Sequence, residues 1–213
     1  MMRNDVSIPC GTLTLEGVLE IPTNGGRRVP GAVICHPHPL YGGNMHNNVV
    51  RAIRKGLLDR GVACLRFNFR GTGRSWGDHG DGTDEIQDVL AALDFLQQAP
   101  AVAPQKLLVA GYSFGCWVGL KAAANDARPT ALIGVSPPVD VYDFTFLLEE
   151  KRPKLLIAGD RDFVCAADLF QKLTAQVPDP KRVVLLAGAD HFHVGNEEKL
   201  IREVNAFMDA YPL

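Results

Sequence analysis

KLLVAGYSFGCWVGLKAAA, residues 106–124, reads as a buried strand, a tight turn carrying one serine, and a helix. The apolar run Leu107 to Ala110 is short and β-rich enough for a covered strand, and Gly111, Tyr112, Ser113, Phe114 and Gly115 then spell G-x-S-x-G. Glycines two residues to either side of the serine let two backbones pass closely, while the turn lifts the serine side chain to the carboxyl end of the sheet. From Phe114 the chain turns helical, with Gly119, Ala122, Ala123 and Ala124 small enough to sit close on a sheet. The Phe114 N–H is then expected to point toward an oxygen held above Ser113. The pentapeptide alone also occurs in many loops. Its placement between a strand and a helix is what makes Ser113 a candidate nucleophile.

Working outward, the alternating TLTLEGVLEI within Ile8 to Ile21 suits an antiparallel edge strand, hairpinned to a short strand before Gly11. Gly31 to His36 is apolar on both faces of the pleat, as in a central strand. HPHPLYGG is too rich in proline and glycine for regular structure, and a helix is expected over Asn44 to Leu58 with Val49, Val50, Ile53 and Leu57 as its buried stripe. Gly61 to Phe69 supplies a strand and Thr83 to Gln98 a helix that buries Ile86, Val89, Leu90, Leu93 and Leu96. After the serine unit, Thr130 to Val135, Lys154 to Gly159 and Val183 to Ala187 read as strands. Ala166 to Gln176 and Asn196 to Tyr211 read as helices. Strands and helices alternate at crossover spacing, which predicts one α/β domain over residues 1–213 with a mainly parallel sheet and an antiparallel N-terminal edge. Between Pro138 and Lys154 there is room for one helical turn, so any lid is minimal.

Composition sets outer limits. The 213 residues are 46% hydrophobic and 22% charged, ordinary globular values, and a formal net charge of −2 offers no general attraction to nucleic acid or an anionic membrane. Cys10, Cys35, Cys64, Cys116 and Cys165 are dispersed and odd in number, which suits reduced core thiols in a cytoplasmic protein. No apolar leader or membrane-length run is apparent, so neither secretion nor membrane insertion is expected.

A parallel sheet presents its chemistry at the carboxyl ends of its strands. A serine hydroxyl needs a base to take its proton, and an imidazole base needs an orienting carboxylate. After Ser113 the chain offers Asp160 or Asp162 behind LLIAG, then His191 or His193 behind VVLLAG. Asp160 sits at the strand exit with little freedom to swing across. It is expected to accept backbone N–H groups of its own turn, whereas Asp162, inside that turn, can reach the next loop.

GYSFG, GDRDFV and GADHFH together resemble the α/β-hydrolase fold. CHPHPLYGGNMHNNVV and LRFNFRGTGRSWGDHGDGTDEIQDV resemble a subgroup of small, nearly lidless serine hydrolases, over nearly the whole chain from Gly31 onward. The resemblance implies G-x-x-D at Gly159 and Asp162 for the acid and the H-F motif at His191 for the base. It also implies an H-G-x-x-G oxyanion loop at His38, Pro39, Leu40, Tyr41 and Gly42, with proline for the first glycine. Because Pro37 and Pro39 have no N–H, Leu40 is the preferred partner of Phe114, with Tyr41 in reserve. His38, Tyr41, Trp76, Phe144 and Phe163 are expected to line the substrate groove, with Phe146 a further wall aromatic.

Three other readings fit these residues less well. His36, His38, His46 and His79 with Asp78 or Asp81 could be gathered round a metal, but His36 and His38 are split by a rigid proline and no paired-histidine helix is present. Gly71, Gly73 and Gly82 lack the lysine and spacing of a nucleotide loop. Arg66, Arg70 and Arg74 are expected to pair with the acidic run Asp78, Asp81, Asp84, Glu85 and Asp88. The sequence thus points to a serine hydrolase acting on a small acyl substrate, short in its acyl chain, without cofactor or metal. A peptidase or amidase with the same machinery, a non-catalytic binding protein on this scaffold, and a homodimer are compatible with it.

Overall fold

The computed structural model describes residues 1–213. Eight strands form one sheet in the order β1-β2-β4-β3-β5-β6-β7-β8. They are β1 (Met2–Cys10), β2 (Leu13–Ile21), β3 (Val29–Cys35), β4 (Ala63–Phe67), β5 (Val102–Tyr112), β6 (Pro129–Val135), β7 (Lys154–Gly159) and β8 (Lys181–Leu186). β1–β2 and β2–β4 pair antiparallel and every later pairing is parallel. The mainly parallel sheet with an antiparallel N-terminal edge is therefore what forms. Two strands run well past their expected starts. β1 is longer than the sequence pattern suggested, because its exposed residues 2–5 are held by pairing with β2 and not by burial. β5 starts back at Val102, with Pro104 inside a register shift against β3, where no ladder N–H is needed.

Two apolar clusters cover the two faces. One packs α2 (Thr83–Gln98), α3 (Phe114–Ala124) and α4 (Ala167–Gln176) through residues such as Val89, Leu93, Leu120 and Phe170. The other packs α1 (Asn48–Asp59) and α5 (Glu197–Ala210) through Ile53, Leu57, Val204 and Phe207. The two helices come close because residue 56 is glycine: a Cβ there would lie 2.8 Å from the Val204 side chain. α1 begins four residues later than the hydrophobic stripe alone suggested. Asn47 caps it, its side chain accepting the Val49 N–H at 2.9 Å, and Asn44 turns the preceding chain by accepting the His46 N–H. No helix is long and apolar enough to cross a membrane.

β3 has β4 on one side and β5 on the other, so consecutive connections leave it in opposite directions. That divergence opens a crevice at the carboxyl ends of β3 and β5, where open α/β sheets bind ligands. The same edge carries the loops after β6, β7 and β8. Of the three arginines, only Arg70 meets the acidic run, on Asp84 and the buried Asp88. Arg66 instead pairs with Glu20 and Arg74 with Glu16, both on β2, since the strand they leave lies beside β2 and faces its carboxylates. All five cysteines are buried and unpaired.

Candidate active site

Ser113 stands between the last residue of β5 and the first of α3, with φ 54° and ψ −122°. A non-glycine residue in that region is held by its surroundings. Here the hold is visible: the Ser113 N–H donates to the Val135 carbonyl at 2.9 Å, and its own carbonyl accepts the Cys116 and Trp117 N–H groups. A Cβ at Gly111 would fall 2.1 Å from the Gly115 oxygen, and one at Gly115 would fall 2.3 Å from the His36 oxygen. The two glycines of G-x-S-x-G thus let β5 meet α3 and let the elbow rest on the backbone leaving β3.

Ser113 Oγ lies 2.9 Å from His191 Nε2. His191 Nδ1 lies 2.9 Å and 3.0 Å from the two oxygens of Asp162. Of the pairs left open by the sequence, Asp162 and His191 are thus the ones brought to the serine. Asp162 is fixed from its own turn by the Val164 and Cys165 N–H groups, at 2.9 and 2.8 Å. Burial alone would raise its carboxyl, but the hydrogen bond and charge of His191, Ser136 and the Val164 N–H together hold it below the usual range. The histidine loop is tied down by Tyr112, whose hydroxyl donates to the His191 carbonyl at 2.8 Å. Glycine at 159 lets the β7 and β8 exits converge, as a Cβ there would meet the Ala189 oxygen at 2.1 Å.

The remaining expected residues divide. Phe114 is buried, and its N–H opens α3 with no carbonyl one turn behind to accept it. His38 is half-buried over the Phe114 ring at 4.6 Å, Tyr41 is exposed against His38, and Phe163 is exposed at 6.0 Å from the His191 ring. Burial, and then His79, push the His38 imidazole below its ordinary value. Leu40 is differently placed from what was expected. Its N–H is donated to His38 Nδ1 at 3.2 Å, capping the 3₁₀ turn Pro39–Tyr41, while the His38 N–H donates to no protein atom. Trp76 is exposed, its N–H on the Thr14 carbonyl, and takes no part in the ring contacts around His38, Phe114 and His191. Phe144 is a core residue packed on Phe146. Trp76 thus lies against the β2 edge and Phe144 in the core.

Three residues escaped sequence reasoning, and a fourth, His193, entered only as an alternative base. Phe192 is exposed and stands with Phe163 at the mouth, 6.0 Å from the His191 ring. The H-F signal by itself points only to the histidine. Tyr112 serves through its hydroxyl, which no local pattern announces. Ser136 and His193, both fully buried, meet at 2.8 Å between Oγ and Nε2. The other early histidine, His36, is structural: Nδ1–H donates to the Pro37 carbonyl and Nε2 accepts the Phe69 N–H. No group of His, Cys, Asp and Glu is arranged to hold a metal ion.

Residues 12–150 match the sequence profile of the family described as X-Pro dipeptidyl-peptidase (S15 family). An uncharacterized protein of Rickettsia prowazekii is 36% identical over 187 residues, 84% of this chain and 78% of that one. The structure of an α/β serine hydrolase homologue from Coxiella burnetii is 32% identical, with a TM-score of 0.88 and 97% of both chains covered. A Xanthomonas campestris protein, described as an α/β serine hydrolase without lid, is 27% identical with a TM-score of 0.88, covering 100% of this chain and 97% of its own.

Proposed function

The chain belongs to the S15 family within the α/β hydrolases, and from that premise we propose that it is a serine hydrolase cleaving a small carboxylic ester or related acyl substrate through an acyl-enzyme at Ser113. The observation that carries this reading is the continuous set of contacts from Ser113 Oγ through His191 to Asp162. His191 Nε2 takes the hydroxyl proton as Oγ bonds to the carbonyl carbon. Asp162, accepting from Nδ1, orients the ring and stabilises the imidazolium that forms. The tetrahedral intermediate then collapses: the carbon–oxygen bond to the leaving alcohol breaks and His191 returns the proton to it. Water repeats the sequence on the acyl-enzyme, and no step calls on a metal or cofactor.

The developing oxyanion needs donors that are otherwise unspent. The Phe114 N–H is one. For the other we assign the His38 N–H in place of Leu40, because the Leu40 amide is engaged by the His38 ring and the elbow rests on this loop at His36. His38, Tyr41, Phe163 and Phe192 stand around Phe114 and His191, and the segment between Pro138 and Lys154 carries only the short 3₁₀ turn Thr145–Glu149. With so little apolar wall, long acyl tails bury few methylenes, each of which contributes about 0.8 kcal/mol.

The profile match favours one second reading, hydrolysis of an X-Pro peptide bond, by the same machinery. That match ends at residue 150 and so covers Ser113 but neither Asp162 nor His191. Five unpaired buried thiols support a reducing, cytoplasmic setting. The test is labelling with a fluorophosphonate and mass mapping of the adduct, then kcat/KM on acetate to palmitate esters beside X-Pro anilides. A Ser113 adduct with best turnover on acetate or butyrate is expected. A faster X-Pro anilide moves the assignment to the peptidase, and absence of any adduct leaves a non-catalytic binding protein.

A further inference from the structure

β1 is a free edge of the sheet: it pairs with β2 on one side and with nothing on the other. Which of its backbone groups are left unused follows from its neighbour. On β2, the Thr14 and Glu16 carbonyls point away from β1, accepting the Trp76 and Asn68 N–H groups, so the odd-numbered residues of β2 are the ones that bond to β1. Their partners in register are Met2, Asn4, Val6, Ile8 and Cys10. In an antiparallel ladder the residues between such partners turn both backbone groups outward. The N–H and C=O groups of Arg3, Asp5 and Ser7 therefore lie along the open edge, and no other segment takes them up. Pro9 falls in the same outward series, where it removes no bond to β2 and ends the row of donors.

The side chains alternate too. Met2, Asn4 and Val6 share the face of the buried Ile8, whereas Arg3 and Asp5 are on the opposite face, and residues 2–5 are all exposed. Glu20, opposite Arg3 in the register, is already engaged by Arg54 and Arg66, and neither Arg3 nor Asp5 forms an ion pair. Charges on an edge strand ordinarily deter a second strand. Here one of each sign flanks Asn4.

We propose that β1 is an interaction surface for a second copy of this chain, the two edges pairing antiparallel about a two-fold axis at Asn4. Outward residues must face outward residues, so the axis falls at a residue and never between two. An axis at Arg3 or Asp5 opposes like charges, and one at Val6 sets Arg3 against Pro9, which has no N–H to exchange. Only the axis at Asn4 places Arg3 opposite Asp5 of the second copy and Asp5 opposite its Arg3. The same register lays the exposed Met2 against Val6 of the second copy and brings the two Asn4 residues together. The other edge strand offers no such match, because the charges of β8 are both basic, Lys181 and Arg182. The paired stretch is short, so the dimer is weak and reversible, well below a standard interface in size. This surface is independent of the reaction proposed at Ser113.

Sedimentation equilibrium of the full chain at low salt tests it, with far-UV melts to confirm that each variant folds. Wild type is expected to pass from monomer toward dimer between ~5 and ~500 μM, and raising the salt should weaken the association. Asp5→Arg sets arginine against Arg3 at both symmetric positions and should weaken association ~10-fold or more. The double variant Arg3→Asp with Asp5→Arg recreates the opposite pairs in reverse, and should return the dissociation constant to within about threefold of wild type. A wild type that stays monomeric at ~500 μM overturns the second copy as the occupant of this edge. A dimer that Asp5→Arg leaves intact places the contact elsewhere, and one that the double variant fails to restore rejects the register at Asn4. Either result overturns the proposal.

Discussion

Asp160 Oδ1 accepts the Gly188 N–H at 2.7 Å. The strand-exit carboxylate does cross to the histidine loop, contrary to the expectation that it would only brace its own turn, but it ends on backbone three residues short of His191. Asp162 is the one that meets the imidazole. Asp162→Asn is accordingly expected to lower kcat by on the order of 10⁴, as removal of the orienting charge does in another serine hydrolase, with folding kept. Asp160→Ala frees an exposed N–H and should cost about 1 kcal/mol of stability while leaving kcat within about tenfold. Turnover and urea melts of both variants check this. An inactive, stably folded Asp160→Ala beside an active Asp162→Asn would reverse the roles.

Ser113 is predicted to be the sole covalent nucleophile. Its nearest rival in sequence, Cys116, is fully buried, and burial raises its thiol well above the ordinary value, which disfavours the thiolate needed for attack. Ser113→Ala should abolish fluorophosphonate labelling, and Cys116→Ser should label at the wild-type rate. Labelling that survives in Ser113→Ala at the wild-type level would sink the assignment.

Much of this site could be read before any coordinates. GYSFG, the order serine, acid, histidine, and the bounds of α2 rest on local signals: apolar runs, glycines and a capping acidic turn, here Glu85 accepting the Gly80 and Gly82 N–H groups. What escaped depends on contacts between distant segments. Arg66 could not reveal Glu20 as its partner, because the β2–β4 pairing that joins them is non-local. Leu40 looked like a free donor because the loss of its N–H to His38 depends on the fold of one loop. Ser136 and His193 lie 57 residues apart, and nothing near either one in sequence announces the other.

Gly115 is predicted to be indispensable to the oxyanion loop as well as to the elbow. An alanine Cβ there would lie 2.3 Å from the His36 oxygen and 2.6 Å from that of Cys35, both backbone atoms that cannot swing aside. Gly115→Ala must push α3 away from the β3 exit, at a cost of about 1–3 kcal/mol typical of overpacking. Since the Phe114 and His38 amides ride on these two segments, kcat should fall more than stability requires, on the order of 10²-fold, the loss caused by one misplaced oxyanion donor. Thermal melts and kcat measured together test this. A variant with wild-type kcat would mean that the loop's contact with the elbow does not set the donors.

Acid should weaken the fold well before the carboxylates titrate. Burial pushes both His36 and His193 from the ordinary 6.5 down to about 4. Geometry says why. A second ring proton on His36 would face the Phe69 N–H that Nε2 now accepts, and one on His193 Nδ1 would have no acceptor. The unfolded chain takes up these protons near pH 6.5 and the folded one only near 4, so between those values the unfolded state binds more protons. Stability from this source is complete above the upper value, declines as pH falls through the window, and is flat below it. Each pH unit of separation is worth about 1.4 kcal/mol per group, so the two together amount to several kcal/mol, a large part of a typical ~5–15 kcal/mol fold. Asp162, whose folded value is depressed, adds to the loss only at still lower pH. Urea unfolding between pH ~7.5 and ~4.5 should show the midpoint falling steadily below pH ~6.5, and His193→Gln should roughly halve that slope. A wild-type midpoint that stays constant across the range would show that neither histidine is held uncharged by the fold.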